Sequence, residues 1–166
     1  MIIRDLREVD AEAYFALRRA SLADAPLAFA ASPEDDVASS PEAIREQLRR
    51  GPEAAVVGAF DEHLIGALGL GRDGHIKAAH KIHFWGMYVA PTHRRRGVGA
   101  ALLREAIRRA RALPGVSSIH LSVSSAAPAA RRLYERAGFE VWGSEPNALR
   151  YGGESVVEHH MVLRIR

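Results

Sequence analysis

The chain has 166 residues, enough for one domain with a sizeable core, and its 48% hydrophobic and 26% charged residues are ordinary for a soluble globular protein. It has no cysteine, which excludes disulfides, thiolate catalysis and cysteine-ligated metals. The net charge is only +3, yet the sequence pI is near 9.7, because the basicity is largely arginine at 94–96, 104–111 and 131–136. Met1-Ile2-Ile3-Arg4-Asp5 has no signal-peptide layout, and no apolar run approaches the roughly 20 residues of a membrane helix, so a cytoplasmic protein without a membrane partner is expected.

Residues 1–6 alternate weakly and predict a strand. Asp10 is placed to cap a helix over 11–23, with Ala13, Tyr14, Leu17 and Ala20 on one face. Pro26, Pro33 and the acidic run Glu34-Asp35-Asp36 make 24–40 mostly loop. Ser40-Pro41-Glu42, a serine cap with proline at the first helical position, starts a second helix that ends near Gly51-Pro52. An apolar strand at 54–60, a turn at 61–63 and a partner strand at 64–70 form a hairpin, and 78–90 is a long strand candidate.

A helix over about 97–113 follows, with Leu103, Ala106, Ile107, Ala110 and Leu113 inward, and Pro114-Gly115 stops it. Ile119 to Val123 is the next strand. Pro128 opens a helix to Ala137 that Gly138 closes. Final strands at 139–143 and 156–165 are joined through Pro146 and Gly152-Gly153. The order β-α-α-β-β-β-α-β-α-β-β predicts a mixed α/β (α+β) fold in a single domain over 1–166, with a parallel crossover around 84–123.

The chemistry concentrates in Trp85-Gly86-Met87-Tyr88-Val89-Ala90-Pro91-Thr92-His93-Arg94-Arg95-Arg96-Gly97-Val98-Gly99-Ala100. Three arginines stand before a helix N-terminus, where the dipole is already positive and unpaired N–H groups point outward. No acidic residue lies between Ala90 and Arg104, so nothing in the local sequence offsets the charge. An anion, typically phosphate, would fill such a site, and Gly97 and Gly99 would let it reach the backbone amides. The same glycines would also serve close packing of helix on strand. The spacing is neither the Gly-x-Gly-x-x-Gly of dinucleotide sites nor the Gly-Lys-Ser/Thr of ATPase loops.

Two segments carry a resemblance. V-A-P-T-H-R-R-R-G-V-G-A-A-L-L resembles the acetyl-coenzyme A motif of the GCN5-related N-acetyltransferases, and L-S-V-S-S-A-A-P-A-A-R-R-L-Y-E-R-A-G-F resembles their second motif. The tail E-P-N-A-L-R-Y-G-G-E-S-V-V-E-H-H-M is similar to a bacterial subgroup whose acceptors are largely unassigned. The resemblance implies that family's fold: a central mixed sheet of about seven strands with helices on both faces. It implies an acetyl-CoA-dependent N-acetyltransferase acting on a primary amine of a small molecule or of a peptide or protein N-terminus, by direct attack in a ternary complex. A homodimer is common among such proteins.

Residue roles follow from the same resemblance. Met87, Tyr88 and Val89 would pair with the pantetheine arm in the gap between the strands at 84–90 and 119–123. Arg94 matches the fixed motif position, and the amides of Arg95, Arg96, Gly97, Val98, Gly99 and Ala100 would hold the pyrophosphate. Where the second motif often carries asparagine, this chain has Ala127; Ser124 or Ser125 would have to substitute. Tyr134 matches the tyrosine near the thioester sulfur and is the candidate general acid, with a packed core aromatic as the alternative. The oxyanion donor would be a backbone N–H near Val89.

The amine's base stays open among His83, which shares a strand face with Trp85, and Glu145, Glu158 and His160. His80-x-x-His83 and His159-His160 lack any zinc-helix pattern, and no metal is expected. The resemblance implies an acceptor pocket built from the segment 24–50 and the loop 145–154, where Phe29 and Glu145 would contact the acceptor and the acidic run Glu34, Asp35 and Asp36 would steer a cationic amine. The competing classes are a non-catalytic acyl-CoA-binding module on the same scaffold and an RNA binder. The second lacks an aromatic-plus-basic strand signature, so no nucleic-acid partner is expected.

Overall fold

A computed structural model describes residues 1–51 and 54–165. The elements are β1 (Ile2–Asp5), α1 (Ala11–Asp24), α2 (Pro41–Leu48), β2 (Ala54–Phe60), β3 (Leu64–Arg72), β4 (Lys81–Val89), α3 (Val98–Ala112), β5 (Ser118–Ser124), α4 (Pro128–Arg136), β6 (Glu140–Tyr151) and β7 (Glu154–Arg164). Seven strands form one sheet in the order β1-β2-β3-β4-β5-β7-β6. Among the described residues only β4 and β5 pair in parallel; they are joined through α3, because a parallel pair needs a crossover. Among the described residues no helix is long and apolar enough to cross a membrane.

The helices divide between the two faces because their apolar stripes do. In α3 the i, i+4 stripe Val98, Leu102, Ala106 and Ala110 is fully or nearly buried against Leu68 and Leu70 of β3, Ile82 of β4 and Ile119 of β5, and α4 adds Leu133 and Tyr134 to that core. On the opposite face Tyr14 and Leu17 of α1 and Ile44 of α2 close over Val56, Leu64, Ala67 and Tyr88. Each fully buried side chain of Leu or Ile size contributes about 1.5–3 kcal/mol of transfer free energy.

The feature that makes a site is the parting of β4 from β5. Their register runs only through Lys81↔Ser118, Ile82↔Ile119 and His83↔His120. Beyond it β4 bulges: its register with β3 steps from Ala67↔Tyr88 to Gly69↔Trp85, so β4 carries one extra residue. Gly86 takes φ +62 there, a left-handed geometry that glycine adopts without steric cost. A bulge bends its strand, and β4 leaves β5 with an open wedge between them.

Several boundaries differ from the sequence reading. β4 starts at Lys81, because 76–78 form a 3-10 turn. The last two strands are longer than predicted and form a β6–β7 hairpin. β6 runs through Pro146 and through Asn147 at φ +55, absorbing both in a register shift between Glu145 and Leu149; proline is tolerated because β6 lies at the sheet edge. Asp10 does not cap α1 with its side chain; its carboxylate accepts the Arg7 N–H at 2.7 Å and pairs with Arg4 at 2.7 and 2.8 Å. Ala13 and Ala20 are exposed, and Ala11, Ser21 and Leu22 join Tyr14 and Leu17 inside. The second helix ends at Leu48; Pro52, named in its expected boundary, lies outside the described residues, as does Arg166.

Candidate active site

The loop between β4 and α3 has the geometry of an anion cradle. Gly97 sits at the N-cap of α3 in the left-handed region (φ +79), and Arg95 is left-handed too (φ +60). Ala101 N–H already bonds Gly97 C=O at 3.0 Å, so the amides of Val98, Gly99 and Ala100 are the ones without intrahelical acceptors. The two glycines do different work. A Cβ on Gly97 would meet nothing within 4 Å, so its role is conformational. A Cβ on Gly99 would lie 3.1 Å from Met87 Cε and 3.2 Å from Leu133 Cδ2, so that glycine lets α3 approach β4 and α4.

The charge of the loop is offset from a distance. The Arg94 guanidinium pairs with Asp24 at the end of α1, and its Nε donates to the Val89 carbonyl at 3.0 Å. Tyr88 Oη donates to the same Asp24 carboxylate at 3.1 Å. Arg94 therefore holds Asp24 below the usual carboxylate range, while burial first and Asp24 second raise the Tyr88 phenol. The expectation that the charge is uncompensated fails for Arg94. Arg95 and Arg96 remain exposed and have no side-chain partner among the described residues.

Beside the cradle lies the wedge, a cleft lined by Trp85, Gly86 and Met87 of β4, Leu121, Ser122 and Val123 of β5, Ala127 and Tyr134 from α4 and its cap, and Phe29 from the α1–α2 loop. Tyr134 is buried, with its hydroxyl donating to Met87 Sδ at 3.3 Å and its ring edge-on to Phe139 at 5.9 Å. Burial pushes its phenol well above the usual value, so it is neutral at physiological pH. Ala127 places only a methyl in the cleft. Ser124 Oγ accepts the Ala126 N–H at 3.1 Å, and Ser125 Oγ accepts the Val157 N–H at 3.1 Å, so the latter side chain is tied to β7.

On the face of the sheet away from α3, β5 and its neighbours present polar groups. Ser122 Oγ bonds His160 Nδ1 at 2.8 Å, His160 Nε2 lies 3.6 Å from Glu145, and Trp142 stacks on the imidazole at 5.4 Å. Glu158 stands opposite Glu145 in the β6–β7 register, and its ligand atom lies within 4.8 Å of those of Glu145 and His160. His159 points the other way, toward Arg131 and Ser144, so the two adjacent histidines do not share a site. His83 is half-exposed, 3.4 Å from Asp73, with its ring tilted against that of His120 at 5.7 Å between centroids. It does not line the cleft. His120 is lowered, first by burial and then by His83.

The acidic run of the α1–α2 loop is split. Glu34 is exposed, Asp35 accepts the Ser32 N–H at 2.6 Å, and Asp36 is buried against Arg18. Sequence reasoning missed Asp24, Ser122, Gly86 and Arg18. Gly86 had a visible signal, a glycine inside an apolar strand; the other three become site residues only through partners far along the chain.

Residues 11–139 match the family model described as "Acetyltransferase (GNAT) family". Among solved structures, the chain is similar to a GCN5-related N-acetyltransferase from Kribbella flavida (26% identity, TM-score 0.84, covering 99% of this chain and 97% of that one). It is similar in fold to a ribosomal-protein-alanine N-acetyltransferase from Brucella melitensis (23%, 0.85, 99% and 100%). The same holds for a phosphinothricin acetyltransferase from Sinorhizobium meliloti solved with acetyl-CoA (23%, 0.85, 98% and 87%). No curated protein matches the chain by sequence.

Proposed function

The chain belongs to the GNAT acetyltransferase family, and from that premise we propose that it moves the acetyl group of acetyl-CoA to a primary amine by direct attack in a ternary complex. One observation carries this reading. The wedge opened by the Gly86 bulge holds the Tyr134 hydroxyl against a sulfur atom, beside a glycine-capped helix N-terminus.

Acetyl-CoA would lay its diphosphate on the Val98–Ala100 amides, with Arg95 and Arg96 as the available cations and Arg94 fixing the loop from behind. Its pantetheine would run along the β4 edge at Met87–Val89, which has no β5 partner beyond His83. The amine nitrogen attacks the thioester carbonyl, the C–N bond forms, the C–S bond breaks, and the departing thiolate takes the proton of Tyr134. Met87 Sδ marks where Tyr134 Oη directs that proton: a thiolate is a far better acceptor than the thioether it now meets.

Among the candidate bases, His160 has the best connection. With Nε2–H toward Glu145, its Nδ1 accepts the Ser122 hydroxyl, and Ser122 lines the cleft. The amine proton passes through Ser122 to His160, with Glu145 supporting the imidazolium. His83 and Glu158 reach the cleft through no comparable bond. Incubation with acetyl-CoA and a panel of amines, reading free thiol, tests the proposal: amine-dependent release supports it. Tight acetyl-CoA binding with no release for any amine assigns the chain to the non-catalytic module instead.

A further inference from the structure

Arg18 of α1 is buried beneath the α1–α2 loop, with only 12% of its side chain exposed. One edge of its guanidinium is occupied: Nε donates to Asp36 Oδ2 at 2.9 Å and Nη2 to Asp36 Oδ1 at 3.2 Å. The other edge is not. Nη1 is buried and has no hydrogen-bond partner among the described residues. Leaving a buried charged donor unpaired is costly, and such a group in a folded protein calls for a reason.

The location supplies one. Nη1 lies 3.4 Å from where a Gly86 Cβ would stand, and the Phe29 ring covers the guanidinium at 5.3 Å. Gly86 and Phe29 both line the cleft that contains Tyr134 and Ser122. No side chain at Gly86 stands between Nη1 and the cleft, and the ring that covers the guanidinium, Phe29, is itself part of the cleft wall. Asp36 holds the fork in place from behind, and a guanidinium can bind a carboxylate bidentately on each of two edges.

We infer that Arg18 recognises a carboxylate of the acceptor, so that the substrate class is a free amino acid or similar small amine carrying its own carboxylate, not a cationic amine or a peptide N-terminus. This rests on the acetyl-transfer reading above. It also reassigns the acidic loop: Asp36 orients the cation that binds the acceptor, leaving Glu34 and Asp35 as its exposed acids.

The test compares free amino acids with their carboxamides, matched in side chain, on the full-length protein. For wild type, kcat/KM for the acids exceeds that for the amides by roughly 10- to 100-fold, the usual range for a charge-assisted pair. Arg18→Gln removes that preference, lowering kcat/KM for the acids roughly 10- to 100-fold more than for the amides. Because Arg18→Gln strands the buried Asp36, the neutral pair Arg18→Gln/Asp36→Asn is measured beside it. A merely structural role lowers both substrates equally and preserves the ratio; that result, or equal use of acids and amides by wild type, overturns the inference. Binding is read separately, from the fluorescence of cleft-lining Trp85 in CoA-saturated protein titrated with the same pairs. Tighter binding of acids that Arg18→Gln abolishes upholds the inference even if no amine is acetylated, which would fail the enzymatic reading alone. Equal binding of acids and amides, or no binding of either, overturns it.

Discussion

Tyr134→Phe separates chemistry from packing. The ring is buried against Phe139 and the α3–α4 core, and phenylalanine keeps those contacts. What is lost is one hydroxyl whose only partner among the described residues is the thioether of Met87 at 3.3 Å, a weak acceptor. Removing a neutral donor together with so weak a bond changes folding stability by no more than about 1 kcal/mol. If that hydroxyl protonates the leaving thiolate, its loss costs about 10- to 100-fold in kcat, or about 1.4–2.7 kcal/mol of activation free energy. The figure sits at the low end for general acids because a thioester already has a good leaving group. Burial raises the Tyr134 phenol, so it stays protonated through neutral and mildly alkaline pH. The variant therefore lowers the plateau of the kcat–pH profile without moving either limb. The assay is thiol release from saturating acetyl-CoA between pH 6 and 9, with thermal unfolding in parallel. An unchanged kcat in a normally folded variant would reduce Tyr134 to a core aromatic and refute the assignment.

Other perturbations follow from the same geometry. His160→Ala lowers kcat/KM at least several-fold and shifts the acidic limb, whereas His83→Ala leaves the limb in place; the opposite pattern would hand the base to His83. Gly97→Ala forces a side chain into φ +79, at about 1 kcal/mol, and raises KM for acetyl-CoA, whereas Gly99→Val presses on Met87 and Leu133 and shows mainly as lost stability. Asp24→Asn costs up to about 1 kcal/mol near pH 7, the pair with Arg94 being partly solvated. Because Arg94 depresses the folded-state pKa of Asp24, this stability is present above the ordinary carboxylate pKa and is lost as pH falls through the folded value. Urea unfolding at pH 7 and at pH 3 therefore gives a difference between wild type and variant that shrinks in acid; a constant difference would show that the pair is not the cause. In proton NMR, His120 titrates below the usual imidazole pKa, its charged form being disfavoured by burial and by His83.

Much of the scaffold was legible because it is local. A serine cap before Pro41, proline at the start of α4 and glycines closing helices need only the neighbouring residues to act, and α2, α3 and α4 lie close to where those signals put them; the inward face of α3 was read only in part, as Leu103, Ala106 and Ala110 are buried while Val98 and Leu102 were not expected. The cradle was legible for the same reason, since a helix N-terminus and a left-handed glycine are properties of one short segment. The edge strand β6 was cut short because Pro146 reads as a break, and only pairing with β7 shows that an irregularity in the register absorbs it. In α1 the alanines that looked inward face solvent, because which side is buried depends on where the sheet lies.

The sequence by itself determined the element order and the glycine-capped start of α3. Tertiary structure decided which charges are spent and which are available. Arg94 is neutralised by Asp24 across 70 residues, Arg18 is oriented by Asp36 across 18, and Ser122 meets His160 across 38. No periodicity links such residues; each pair exists because the order β4-β5-β7 and the packing of α1 bring its members together. Ion pairs and proton relays act over a few ångströms of space, so their partners are fixed by the fold and not by distance along the chain.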